Sequence, residues 1–192
     1  EIIRRYYTCL NQYVQGNASE DEVANIELLM QQAKISTDFR AVTQAAKARA
    51  EKEKVPTAAI ELADGTIITS KTTPLLGTSA ALLLNATKHL AGIDHKVKLI
   101  PKEMIEPIQQ MKVELLSGNN PRLHTDEVLV ALAMLSKDDE NCKKALEQLA
   151  NLKGCQVHTS VMLSEVDRKI FKKLGVDLTC EPVYKKQKPL IS

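Results

Sequence analysis

Four short stretches of this 192-residue chain carry side chains able to do chemistry. His124-Thr125-Asp126-Glu127 sets an imidazole beside two carboxylates where a helix is expected to begin. Such a group can bind an anion or move a proton, and His124 and Asp126 are its catalytic candidates. Helix capping by Thr125, with Asp126 and Glu127 in the first turn, accounts for the same residues without chemistry. Cys155-Gln156-Val157-His158 offers a thiolate and an imidazole. Joined by Cys180 and His124, they would make a tetrahedral zinc site if all four donors converged. Residues three apart in a strand point to opposite faces, so Cys155 and His158 meet only across a bulge or turn. Buried thiols and a hydrogen-bonded histidine are the simpler reading.

His158-Thr159-Ser160 places hydroxyls next to a base, with His158 a third catalytic candidate. Adjacent strand residues point apart and no acidic partner stands nearby in sequence, so a nucleophilic triad is not expected. In Thr72-Thr73-Pro74-Leu75-Leu76-Gly77-Thr78-Ser79, the hydroxyls of Thr78 and Ser79 with nearby N–H groups could hold a phosphate or carboxylate. Ordinary capping by either residue is simpler. The seven glycines form neither G-x-G-x-x-G nor G-x-x-x-x-G-K-[ST]. No cofactor is indicated by a motif.

The positioning elements follow from the hydrophobic pattern. Ile3, Tyr6, Tyr7, Leu10, Tyr13 and Val14 share one helical face, and Gly16-Asn17 ends it. Ser19 and Glu22 form a capping box for a second helix, and a third runs from Phe39 through Val42 and Ala46 to Lys54. The character changes at Val55-Pro56. Thr57–Leu62 and Thr66–Lys71 are β-rich and meet at Asp64-Gly65, which suits a tight hairpin. We therefore expect residues 1–54 to be a helical extension or linker, 55–184 an α/β domain and 185–192 a frayed tail. Thr78–Leu90 reads as a buried helix, Val97–Ile100 as a short strand, and Pro101 as the opening of a helix irregular at Pro107. Thr125 caps the next helix, and another stops at Gly154. A strand candidate at Cys155–Leu163, a helix capped by Ser164 and a strand at Val176–Cys180 complete the order.

Strands separated by helices imply an α/β three-layer sandwich with a mixed sheet. The order resembles the cytidine-deaminase-like core. That family needs H-x-E or C-x-E at one helix start and P-C-x-x-C at the next. Here the first helix opens Gly77-Thr78-Ser79-Ala80-Ala81, with no zinc ligand, so a zinc deaminase is rejected.

Composition narrows the class further. The chain is 44% hydrophobic but only 3% aromatic, and 26 Lys plus Arg stand against 24 Asp plus Glu. With neither stacking platforms nor a dense positive field, nucleic acid is not an expected partner. The longest apolar run, near Ala80–Leu84, is too short to span a bilayer, so no membrane is expected either. Four dispersed cysteines suit reduced thiols in a cytoplasm. The chain opens at Glu1 directly in a helical pattern, as a piece of something longer would.

The run Ala59–Thr69, then Leu84-Asn85-Ala86-Thr87-Lys88-His89-Leu90-Ala91, then Leu152–His158 and Phe171–Pro182 resembles a large bacterial family, the domain of unknown function numbered eighteen forty-six. The resemblance covers nearly the whole chain and keeps the segments in order. It implies a C-terminal region of a longer protein whose N-terminal part is a doubly wound α/β domain with a phosphate-loop-like segment, and it supplies no catalytic residues. The expected role is a substrate-gating or assembly module for that upstream domain. The alternatives are a contribution to an inter-domain active site and a homo-oligomerisation scaffold.

Overall fold

A computed structural model describes residues 1–184. The expected tail at 185–192 lies outside the described residues. At the centre, β1 (Thr57–Glu61) and β2 (Ile67–Lys71) form the antiparallel hairpin that Asp64-Gly65 encodes. Gly65 turns the chain at φ 83°, where a Cβ would be strained. On its other edge β1 pairs antiparallel with β3 (Gln156–Thr159), and β3 pairs parallel with β4 (Asp177–Cys180). The sheet is mixed, in the order β2-β1-β3-β4.

Strand period 2 divides the core. Ala58, Ile60, Val157 and Cys180 face one side, where they pack with Leu82, Leu83 and Phe171. These last belong to α4 (Thr78–Leu90) and α8 (Glu165–Leu174). Ala59 faces the opposite side and packs on Val42 and Ala46 of α3 (Ala41–Glu53). Residue 55, near which a boundary is expected, lies between α3 and β1. Alongside α3, α1 (Ile2–Val14) lies against β4, and α2 (Glu20–Gln32) backs α1 through Ile3, Tyr7 and Met30. The expected capping box starts α2: Ser19 Oγ accepts from the Glu22 N–H, while Glu22 accepts from the Ser19 N–H. A second apolar cluster, including Leu84, Ile105, Leu123, Leu132 and Ala145, joins α4 to α5 (Lys102–Gln110), α6 (Thr125–Leu135) and α7 (Glu140–Glu147). The three-layer α/β sandwich is therefore present, with helices on both faces of the sheet.

Four local expectations need correction. Val97–Ile100 is bent chain, because Leu99 and Ile100 are buried among helices with no strand beside them to complete a ladder. Phe39 sits in a 3₁₀ turn, Thr37–Phe39, ahead of α3 and is largely exposed. The strand candidate Cys155–Leu163 shortens to Gln156–Thr159, the residues that find partners on both sides. At α6 the N-cap is His124, and Thr125 is the first helical residue. Pro107 lies within α5, and a π-helical turn, Met111–Leu115, follows directly.

Candidate functional site

The carboxyl ends of β2 and β3 point to one end of the sheet, and there three helices begin. Leu76 and Leu123 form an isolated parallel bridge, in which the Leu123 N–H donates to Leu75 O (3.0 Å) and the Gly77 N–H to Leu123 O (3.1 Å). The chain enters α4 after Gly77 and α6 after His124, so this bridge sets the two helix starts side by side. Crevices outside the carboxyl ends of strands are the usual ligand sites of open α/β sheets.

A buried carboxylate from α8 ties the start of α6 to the start of α8. Asp167 is 2% exposed. Its Oδ1 accepts from the Thr125 N–H (3.0 Å) and the Thr125 hydroxyl (2.8 Å), and its Oδ2 lies 3.4 Å from His124 Nδ1. Ser164 Oγ caps the first turn of α8 by accepting from the Asp167 N–H. Burial works to raise the Asp167 pKa. The hydrogen bonds from His124 and Thr125 outweigh it and hold the carboxyl below its ordinary value, so it is ionised behind the imidazole. About a quarter of the His124 side-chain surface is open, and Nε2 stands on the far side of the ring from Asp167.

Asp126, the other catalytic candidate of this stretch, lies in the first turn of α6. Its carboxylate accepts from the Glu127 N–H, a first-turn role. Glu127 accepts from the His124 N–H (2.7 Å) and from Lys112 Nζ (2.8 Å). The residue missed was Asp167. Its sequence signal, three residues after Ser164, reads as a capping box and hides a carboxylate that crosses to another helix.

Thr78 and Ser79 open α4, and both are buried. Ser70 Oγ lies 2.8 Å from Thr78 O and 2.9 Å from Thr78 Oγ1. The α4 N-cap, Gly77, brings no side-chain cap, and Ser79 Oγ has no hydrogen-bond partner among the described residues.

His158 occupies a different place, on the face of the sheet covered by α1 and α3. Fully buried, it sits with Nδ1 2.8 Å from Thr179 Oγ1 and Nε2 3.1 Å from Glu181 Oε1. The Tyr7 hydroxyl donates to the same Glu181 oxygen (3.0 Å), and the Tyr7 ring lies 4.9 Å from the imidazole. Lys47 Nζ is 3.7 Å from Glu181. Burial lowers the His158 pKa more than Glu181 restores it. For Glu181, burial opposes the bonds from His158 and Tyr7, and the bonds prevail. The pair is a neutral imidazole donating Nε2–H to a carboxylate, a satisfied core network.

The thiols stand apart from it. Cys155 and Cys180 pack in the apolar cluster with Phe171, across the sheet from His158. Burial pushes both thiols up. No group of three or more His, Cys, Asp or Glu among the described residues is arranged to hold a metal ion. Thr159 Oγ1 donates to Val161 O, and Ser160 Oγ accepts from the Thr57 N–H, so both hydroxyls beside His158 are engaged elsewhere. Next to Tyr7, a cavity of about 250 Å³ opens at the β4 edge, lined by Asn11, Gln15, Met162, Arg168 and Cys180 among others.

Residues 38–189 match the family described as "Domain of unknown function DUF1846, C-terminal". The chain belongs to the DUF1846 family. A UPF0371 protein of Corynebacterium aurimucosum is 47% identical over 190 residues, which is 99% of this chain and 38% of that protein. Another, of Streptococcus pyogenes serotype M5, is 44% identical over 188 residues, 98% of this chain and 38% of that protein. The chain thus corresponds to the C-terminal region of longer bacterial DUF1846 proteins and spans well under half their length. No helix among the described residues is long and apolar enough to cross a membrane.

Proposed function

We propose that this chain is the C-terminal module of a cytoplasmic DUF1846 protein and supplies a proton-transfer group, His124 held by Asp167, to a site completed by the upstream part of the polypeptide. One observation carries the reading. A buried, ionised Asp167 sits behind a partly open imidazole at the end of the sheet where three helices start. A carboxylate on Nδ1 fixes the tautomer and leaves the Nε2 lone pair to take a proton. The uncapped start of α4 beside it suits an anionic group of the substrate. Four free, buried cysteines support a reducing compartment.

Two measurements test this. Long-range ¹H–¹⁵N spectra of the neutral form of His124 are expected to show the Nδ1–H tautomer, and an Nε2–H tautomer would sink the reading. In the full-length protein, His124→Gln is expected to lower turnover by about 10²–10⁴-fold, the usual contribution of a general acid or base. Turnover unchanged by that substitution would count equally against it.

A second reading, a gating or assembly module, draws on a separate observation: apolar side chains on α6 and on the π-helical turn are open to solvent. A homo-oligomerisation scaffold is its variant, and a strictly monomeric protein in light scattering would exclude that variant.

A further inference from the structure

The turn after α5 is built rigidly yet presents apolar side chains outward. Within it, the Leu116 N–H donates to Met111 O (3.1 Å) and the Gly118 N–H to Lys112 O (2.8 Å). The backbone approach is so close that a Cβ on Gly118 would lie 2.8 Å from that carbonyl oxygen. Lys112 crosses to the entry of α6, where Nζ donates to Arg122 O (2.7 Å), just ahead of the helix, and to Glu127 (2.8 Å) in its first turn. The turn is therefore fastened to the first turn of α6 by groups that satisfy one another. Val130 and Met134 follow Glu127 at helical spacings of three and seven, on the same α6 face.

What this frame displays is a ridge: Met111 (43% exposed), Val113 (42%), Leu115 (78%) and Leu116 (68%) from the turn, and Val130 (61%) and Met134 (68%) from α6. The backbone of a fixed turn loses little freedom on being covered, so burial of these side chains is offset by less ordering. The ion pair Lys112–Glu127 neutralises itself, and the exposed carboxylate between Val113 and Leu115, Glu114, accepts from Gln110 Nε2 (3.1 Å), so the complementary surface is apolar apart from a polar or basic group opposite Glu114.

We infer that this ridge docks against the upstream part of the same DUF1846 polypeptide. Two facts select that occupant over a second copy. The relatives carry more than half of their length outside the region this chain matches. Moreover, six side chains cover only on the order of a few hundred Å², short of the roughly 800 Å² per partner of a stable complex between free molecules. A covalently attached partner binds at an effective concentration of about millimolar, and a small apolar ridge then suffices. The ridge also connects to the dyad, because Glu127 accepts both from Lys112 and from the His124 N–H. Docking there holds the start of α6 in register with the surface that completes the site. The inference rests on the proposed shared site only for that last consequence.

Methionine oxidation in the full-length protein tests it, with hydrogen peroxide as probe and mass spectrometry as readout. Met111 and Met134 are expected to oxidise slowly in the wild type, and at least about tenfold faster in a Leu115→Asp/Leu116→Asp variant, since thioether oxidation follows exposure. Val130→Lys, from the α6 side of the ridge, is expected to act in the same direction. Met30, buried between α1 and α2, stays slow throughout and reports that the fold is intact. Fast oxidation of Met111 and Met134 in the wild type would overturn the proposal. So would protection that disappears on dilution, which would assign the ridge to a second copy. Oxidation rates do not read proton transfer, so failure here leaves the dyad untouched, and a failed dyad leaves the ridge covered.

Discussion

His158 and His124 show how one residue type takes opposite roles according to what surrounds it. The His158 imidazole is enclosed by Tyr7, Thr179 and Glu181, and burial keeps it neutral below its ordinary value of 6.5. Between the folded value and 6.5 the unfolded chain binds a proton that the folded chain refuses, so stability falls as pH drops through that interval. Glu181 and Asp167, both held below their ordinary carboxyl values, add losses of the same sign at lower pH. Urea titrations across pH are expected to show a steeper loss below about 6.5 in the wild type than in His158→Gln, which lacks the titrating group. Parallel curves for the two proteins would contradict this. Residue type in the sequence marked both histidines as notable. It did not tell which one is sealed and which open, because that depends on Glu181 and Asp167, 23 and 43 positions away.

At the scale of elements, the legible parts are those whose signals are local. The Ser19–Glu22 box, the Asp64-Gly65 hairpin and the stop at Gly154, whose φ is 81°, each need only a few neighbouring residues. Val97–Ile100 misleads because β-branched and apolar residues fill a buried connection as readily as a strand, and only a partner strand decides between them. The π-helical turn was equally hidden. Its shape depends on Gly118 approaching Lys112 O and on Lys112 reaching α6. Gly118→Ala is expected to cost about 1–3 kcal/mol, since the neighbour that must yield is backbone. A thermal melt reads the loss, and faster exchange of the Leu116 amide would localise it. A melt unchanged by the methyl would show that the turn is looser than its hydrogen bonds imply.

For the whole molecule, the question is how the first two helices belong to the rest. The family match begins at residue 38, after α1 and α2. Yet α1 lids the buried His158 network through Tyr7, and Asn11 Nδ2 donates to Cys180 O (2.7 Å) on the outer edge of β4. Deleting residues 1–37 uncovers Glu181 and that edge. The truncated protein is expected to lose on the order of 3 kcal/mol or more, from the burial of Tyr7 and its hydrogen bond. Chemical denaturation of the two lengths measures it, and equal stability would mean that α1 is a passenger.

The amino-acid order by itself determined the period of most elements, most of their ends, the α/β class and the family, because these follow from spacing and turn chemistry along a few residues. The mixed order β2-β1-β3-β4 and the pairing of His124 with Asp167 were decided only in three dimensions. So was the separation of His158 from Cys155, which the strand alternation had suggested and the two packed faces of the sheet enforce. The physical reason is common to all three. Side chains far apart in the chain meet where helices pack on a sheet, and which carboxylate then stands behind which imidazole is set by that packing.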